Sequence, residues 1–159
     1  MGESLEEQVG NYLRQKQMKL TLAESCTGGL VGHRITNIPG SSDYYLGGVI
    51  AYANEVKAGL LGVHWETLQQ YGAVSREVAL EMARGVRQVL PAQVGLSVTG
   101  IAGPGGATPG KPVGLTWLGL SAPADEQAWQ FIWQGDRLQN KERSAEAALQ
   151  LLVNYLRSV

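Results

Sequence analysis

Cysteine is nearly absent from this chain: Cys26 stands alone among 159 residues. That excludes an internal disulfide and fits a reducing compartment. Histidine is almost as scarce, with only His33 and His64. Neither stands in a recognisable cysteine–histidine pattern, so a thiol nucleophile at Cys26 has no evident base in the sequence. Neither sign of charge dominates: thirteen basic residues face fourteen acidic ones, for a net charge of -1. A broad basic face for nucleic acid is thereby excluded, while a local phosphate pocket is not. No apolar run approaches a membrane span, and the start MGESLEEQVGNYL is acidic and amphipathic, unlike a signal peptide. A cytoplasmic location is therefore expected, without membrane or nucleic-acid partners. Aromatic residues make up only 7%, whereas glycine reaches 21 residues, gathered in a few turns. Such turns let backbone approach a ligand. With 44% hydrophobic and 17% charged residues over this length, one globular domain is expected.

Helical spacing of Leu5, Val9, Tyr12, Leu13 and Met18 predicts an amphipathic helix over about 3–17. KLTLAES (19–25) alternates as a strand and runs into Gly28-Gly29, which open a helix closed by the Pro39-Gly40 turn. YYLGGVIAY (44–52) reads as a second strand, followed by a short helix that Asn54 could cap and another over 65–70. Ser75 is a good N-cap for the run VALEMARGVRQVL, which Pro91 ends. VGLSVTGIA (94–102) is almost continuously apolar, as a central buried strand should be. VGLTWLGLSA (113–122) and QAWQFIWQG (127–135) read as a hairpin around Pro123–Glu126, and a helix over about 137–157 closes the chain. Alternating helices and strands followed by two adjacent strands predict a three-layer α/β/α sandwich on a mixed sheet of five to six strands.

Three segments carry candidate chemistry. The ESCTGG turn (24–29), between a strand and a helix, offers Ser25, Thr27 and Gly28 as anion or substrate contacts. It lacks the lysine and serine of a phosphate-binding Walker loop. TGIAGPGG (99–106) follows the most apolar strand, where ligands of open α/β sheets gather. Thr99 supplies a hydroxyl there, and Gly100 and Gly103 permit close backbone approach. GSSDYYLGGVIAYANEVK (40–57) places Ser41 or Ser42, Tyr52 and Lys57 around one strand. A lysine kept neutral by burial can take the proton of a serine nucleophile. By themselves these are ordinary turn, packing and surface residues.

Taken together, ESCTGG, IPGSSDYYLGGVIAYANEVKAGLLGV, YGAVS, TGIAGPGG, KPVG and GDR occur in one order over nearly the whole chain. This set closely resembles the CinA C-terminal family. The resemblance implies a three-layer α/β/α nicotinamide-nucleotide amidase, hydrolysing the carboxamide of nicotinamide mononucleotide to nicotinate mononucleotide and ammonia. It also implies a Ser–Lys acyl-enzyme mechanism without metal or cofactor. Residue by residue, the implied nucleophile falls on Ser42, with Ser41 as the adjacent alternative. The implied lysine falls on Lys57, the tyrosine on Tyr52 and a supporting threonine on Thr99. For the phosphate, Arg137 in GDR and Arg143 farther along the last helix are the candidates. Many family members carry an additional N-terminal molybdopterin-binding-like domain, which the chain is expected to lack. A homo-oligomer is expected. The alternatives are a non-catalytic nucleotide-binding module of the same fold and an amidase for another carboxamide.

Overall fold

The computed structural model describes residues 2–159. Five strands form one mixed sheet: β1 (Leu20–Glu24), β2 (Tyr45–Ile50), β3 (Val94–Gly100), β4 (Leu115–Ala122) and β5 (Asp125–Ile132). Their order is β2-β1-β3-β4-β5; β2, β1 and β3 pair in parallel, and β4 pairs antiparallel with both β3 and β5. The predicted mixed sheet is present with five strands. The hairpin is tighter than the sequence predicts, since Ala122 already pairs with Asp125 and leaves only Pro123 and Ala124 to turn the chain.

Six helices cover the two faces. α1 (Leu5–Lys16), α2 (Leu30–Thr36) and α6 (Arg137–Ser158) lie on one side; α3 (Asn54–Leu61), α4 (Trp65–Tyr71) and α5 (Arg76–Val89) lie on the other. Strand alternation divides the core between them. Leu20 and Leu22 of β1 pack with Val9, Leu13, Ile35 and Leu149, while Ala23 faces Leu61, Met82 and Val86. β1 is buried along its whole length, as a strand paired on both edges and covered on both faces must be. No described helix is long and apolar enough to cross a membrane.

The helix ends follow local chemistry. Ser4 and Glu7 form a capping box on α1, and Asp136 and Gln139 form one on α6. Ser75 caps α5 by accepting the Val78 N–H. Asn54 is not a cap: it lies inside α3, whose N-cap, Ala53, supplies no side-chain bond. Gly85 lets α5 come close enough to α3 that a Cβ there would collide with the Leu61 carbonyl. This close packing fixes the helix that carries Lys57.

Candidate active site

The carboxyl ends of β1, β2 and β3 meet at one edge of the sheet. After β1, the Ser25 N–H donates to the Val98 carbonyl at 2.9 Å, and the Ala51 N–H donates to the Glu24 carbonyl at 2.8 Å. These two bonds extend the sheet by one step and pin Ser25 between β2 and β3. A cavity of about 200 Å³ opens there, lined by Ser25, Cys26, Tyr52, Asn54, Lys57, Ala73, Val74, Thr99, Gly100, Ala102 and Arg137. Such a place, beyond the strand ends of an open α/β sheet, is where this architecture holds ligands.

Lys57 reaches into the cavity from the first turn of α3 and is only 1% exposed. Its Nζ lies 3.1 Å from Ser25 Oγ and donates to the Tyr52 carbonyl at 3.0 Å. Burial holds the Lys57 ammonium below its usual 10.5, against the opposing fields of Cys26 and Glu55. An ammonium with three protons and so few partners is poorly compensated, so burial shifts Lys57 toward its neutral form. A neutral amine 3.1 Å from a hydroxyl can act as a general base.

The predicted pairing of Ser42 with Lys57 is corrected by this geometry. Ser42 sits in the 3-10 turn Ser41–Asp43, ahead of β2, and Lys57 comes after β2 has crossed the sheet. Six strand residues carry the chain about 20 Å, so the two side chains lie toward opposite ends of the sheet. Ser41, though buried, shares that distant turn. Ser25, predicted as a substrate contact, is the serine that meets the lysine.

Other predicted residues divide between lining and scaffold. Thr99 borders the cavity, but its hydroxyl donates to the Ala73 carbonyl at 2.8 Å and so ties β3 to the loop before α5. Tyr52 contributes its carbonyl to Lys57, whereas its side chain is 62% exposed and its hydroxyl accepts from Arg137 Nη2 at 3.1 Å. It does not relay a proton from Lys57 through that hydroxyl. Arg137 also donates from Nη1 to the Gly103 carbonyl at 2.7 Å, so it braces the cavity mouth. Gly103 has φ 90°, where glycine is favoured, and Gly100 leaves room that a Cβ would take from Thr116 Oγ1 and Cys26 Sγ. Arg143 is exposed and six positions beyond Arg137, about 240° around the helix, and does not join this rim.

Thr27 and Glu24 are structural. The Glu24 carboxylate, 3% exposed, accepts from Thr27 Oγ1 at 2.6 Å and from the N–H groups of Gly29, Val31 and Gly32 at 3.2, 3.0 and 2.9 Å. It therefore caps α2, and Thr27, predicted as a substrate contact, spends its hydroxyl on that carboxylate. The same turn gives Gly28 a φ of 60° and leaves the Cys26 and Thr27 N–H groups donating to no backbone carbonyl. Burial pushes the Cys26 thiol up to about 12, which rules against a thiolate nucleophile at neutral pH. Asn54, which the sequence offered only as a helix cap, and Ala73 and Val74 line the cavity, and Lys141 lies beside it; none was expected at the site. Lys141 lies one helical turn beyond Arg137 and was the position to weigh.

The relatives agree with this architecture. The model of the CinA C-terminal domain matches residues 2–156. A CinA-like protein of Salinibacter ruber is 50% identical over 147 residues, which are 92% of this chain and 36% of that protein. A CinA-like protein of Chlorobaculum tepidum is 46% identical over 161 residues, 98% of this chain and 38% of that protein. The chain thus spans less than two-fifths of the length of these relatives. The crystal structure of the competence/damage inducible protein CihA from Agrobacterium tumefaciens superposes with a TM-score of 0.89 at 34% identity, covering 99% of this chain and 98% of that one. A CinA superfamily protein from Klebsiella pneumoniae gives a TM-score of 0.93 at 27% identity, covering 99% and 100%. The chain belongs to the CinA C-terminal domain family.

Proposed function

We propose that this chain is an amidohydrolase that converts nicotinamide mononucleotide to nicotinate mononucleotide and ammonia through a Ser25–Lys57 pair. The observation that carries this reading is the buried Lys57 Nζ, 3.1 Å from Ser25 Oγ, in a cavity at the strand ends. The substrate comes from the family resemblance, and the cavity volume is consistent with admitting the carboxamide end of such a nucleotide.

In the first half-reaction neutral Lys57 takes the Ser25 proton as Oγ attacks the amide carbon. The Cys26 and Thr27 N–H groups, next to the nucleophile, are the donors offered to the tetrahedral oxyanion. Collapse breaks the C–N bond, and the Lys57 ammonium returns its proton to the departing nitrogen, which leaves as ammonia. In the second half-reaction Lys57 deprotonates water, which attacks the Ser25 ester. The C–Oγ bond breaks, Oγ regains its proton, and the carboxylate product is released.

The test is ammonia release from nicotinamide mononucleotide by the purified protein. Ser25→Ala is expected to abolish it, while Ser42→Ala, remote from Lys57 within the chain, retains it. The reverse result returns the nucleophile to Ser42. Binding of the mononucleotide without turnover by the unaltered protein supports a non-catalytic binding module instead, and turnover of another amide alone reassigns the substrate.

A further inference from the structure

We infer that Lys141 is the residue that selects a phosphorylated substrate at this site, by taking the phosphate that a nucleotide amide carries away from its reacting carbon. The inference rests on the amidase reading and adds the side chain on which its preference for a monophosphate depends.

Size sets the problem. A cavity of about 200 Å³ is below the 300–1,000 Å³ typical of pockets that enclose a whole ligand. With the carboxamide at Ser25, the ribose and phosphate must extend over the rim. One side of that rim is Asn54, Ala73 and Val74, with the exposed acid Glu55 next to Asn54. The cations nearest that side, Arg76 and Lys111, line a separate pocket beyond Val74, and Lys111 already donates to the Tyr71 carbonyl. On the other side stand Arg137 and Lys141, four residues apart on α6 and therefore on one helix face.

The two cations differ in availability. Arg137 already braces the Gly103 carbonyl and the Tyr52 hydroxyl. Lys141 forms no ion pair among the described residues, and it is half-buried. Its Nζ lies 3.8 Å from the point where a Cβ would stand on Gly28, in the turn that presents Ser25. It also lies close enough to Cys26, a lining residue, for its charge to favour the thiolate there. An ammonium beside the nucleophile's turn, without an ion-pair partner among the described residues, is a fitting partner for a phosphate.

The test compares nicotinamide mononucleotide with nicotinamide riboside, which lacks the phosphate, in the unaltered protein, Lys141→Gln and Lys141→Arg. Loss of one charge-assisted contact should lower kcat/KM for the mononucleotide roughly 10- to 100-fold. The loss should fall mainly in KM, with a much smaller effect on the riboside, and Lys141→Arg should recover most of it. Equal losses on both substrates, or none on the mononucleotide, overturn the assignment. If the unaltered protein hydrolyses neither, the amidase reading fails, and calorimetric titration with the mononucleotide decides on Lys141 alone. Weakened binding in Lys141→Gln then supports the anion contact, and unchanged binding overturns it.

Discussion

Glu24 and Lys57 are two buried charges at the same sheet edge, and their surroundings differ in kind. The Glu24 carboxylate accepts four hydrogen bonds, three of them from backbone N–H groups at the start of α2. Lys57 has one carbonyl and one hydroxyl, and no carboxylate within ion-pair distance. A buried charge that is fully hydrogen-bonded holds architecture, because every partner would be orphaned by its removal. A buried charge that is left short of partners is held in readiness to lose its proton. The first builds the turn on which Ser25 sits; the second faces that serine.

Lys57→Arg applies the strongest pressure to this contrast. Arginine keeps the positive charge and much of the side-chain bulk but is never neutral at accessible pH. If Lys57 works by giving up its proton, ammonia release should fall by about 10³-fold or more, since base and nucleophile act as a unit. Substantial activity in Lys57→Arg would mean that the cation, not the free amine, is what the site uses, and Lys57 would then resemble Glu24.

Glu24→Ala comes next and should register in stability. It strands the Thr27 hydroxyl and three N–H groups, at about 1–3 kcal/mol for each donor that water does not rescue. A net loss of about 3 kcal/mol would lower Tm by roughly 6–12 °C in a domain of this size. Glu24→Gln keeps one acceptor oxygen but turns an amide NH2 toward N–H donors, so a smaller loss is expected. Thermal unfolding that leaves Glu24→Ala unchanged would remove its structural role and break the comparison from the other side.

Much of this architecture was legible in the chain. The continuous apolar run of β3, the alternation of β1 and the 3.6-residue spacing of α1, α5 and α6 reflect burial, which periodicity reports directly. The site was only half legible. Ser42 and Lys57 are close in sequence, yet the strand between them separates them in space. Ser25 and Lys57, 32 positions apart, meet because parallel strands bring their carboxyl ends together. The clue was available in the rule that ligands gather beyond strand ends, which applies to Ser25 after β1 as fully as to Thr99 on β3. Glu24 and Lys141 could not be ranked from the sequence. Whether an acidic residue caps a neighbouring helix, or a lysine on a helix faces a cavity, depends on tertiary placement.

The smallest expected effect is also the most direct measure of how far Lys57 is from being satisfied. Its folded value lies below 10.5, so between that value and 10.5 the unfolded chain binds more protons than the folded one. Stability contributed by this group must therefore rise with pH across that window and be lost as pH falls through the folded value. Other groups complicate the raw curve. Burial, with the Glu24 charge second, pushes Tyr45 up to about 12, so Tyr45 makes stability fall above its unfolded value of 10. Subtracting the denaturation free energies of Lys57→Met from those of the unaltered protein, pH by pH, cancels Tyr45 and leaves Lys57. The difference should climb with pH from the folded value upward and level off near 10.5. Activity should rise through the same folded value, because the neutral amine is the base. A flat difference curve would show a lysine whose charge is fully compensated in the folded state, and would erase the contrast in hydrogen bonding between Lys57 and Glu24.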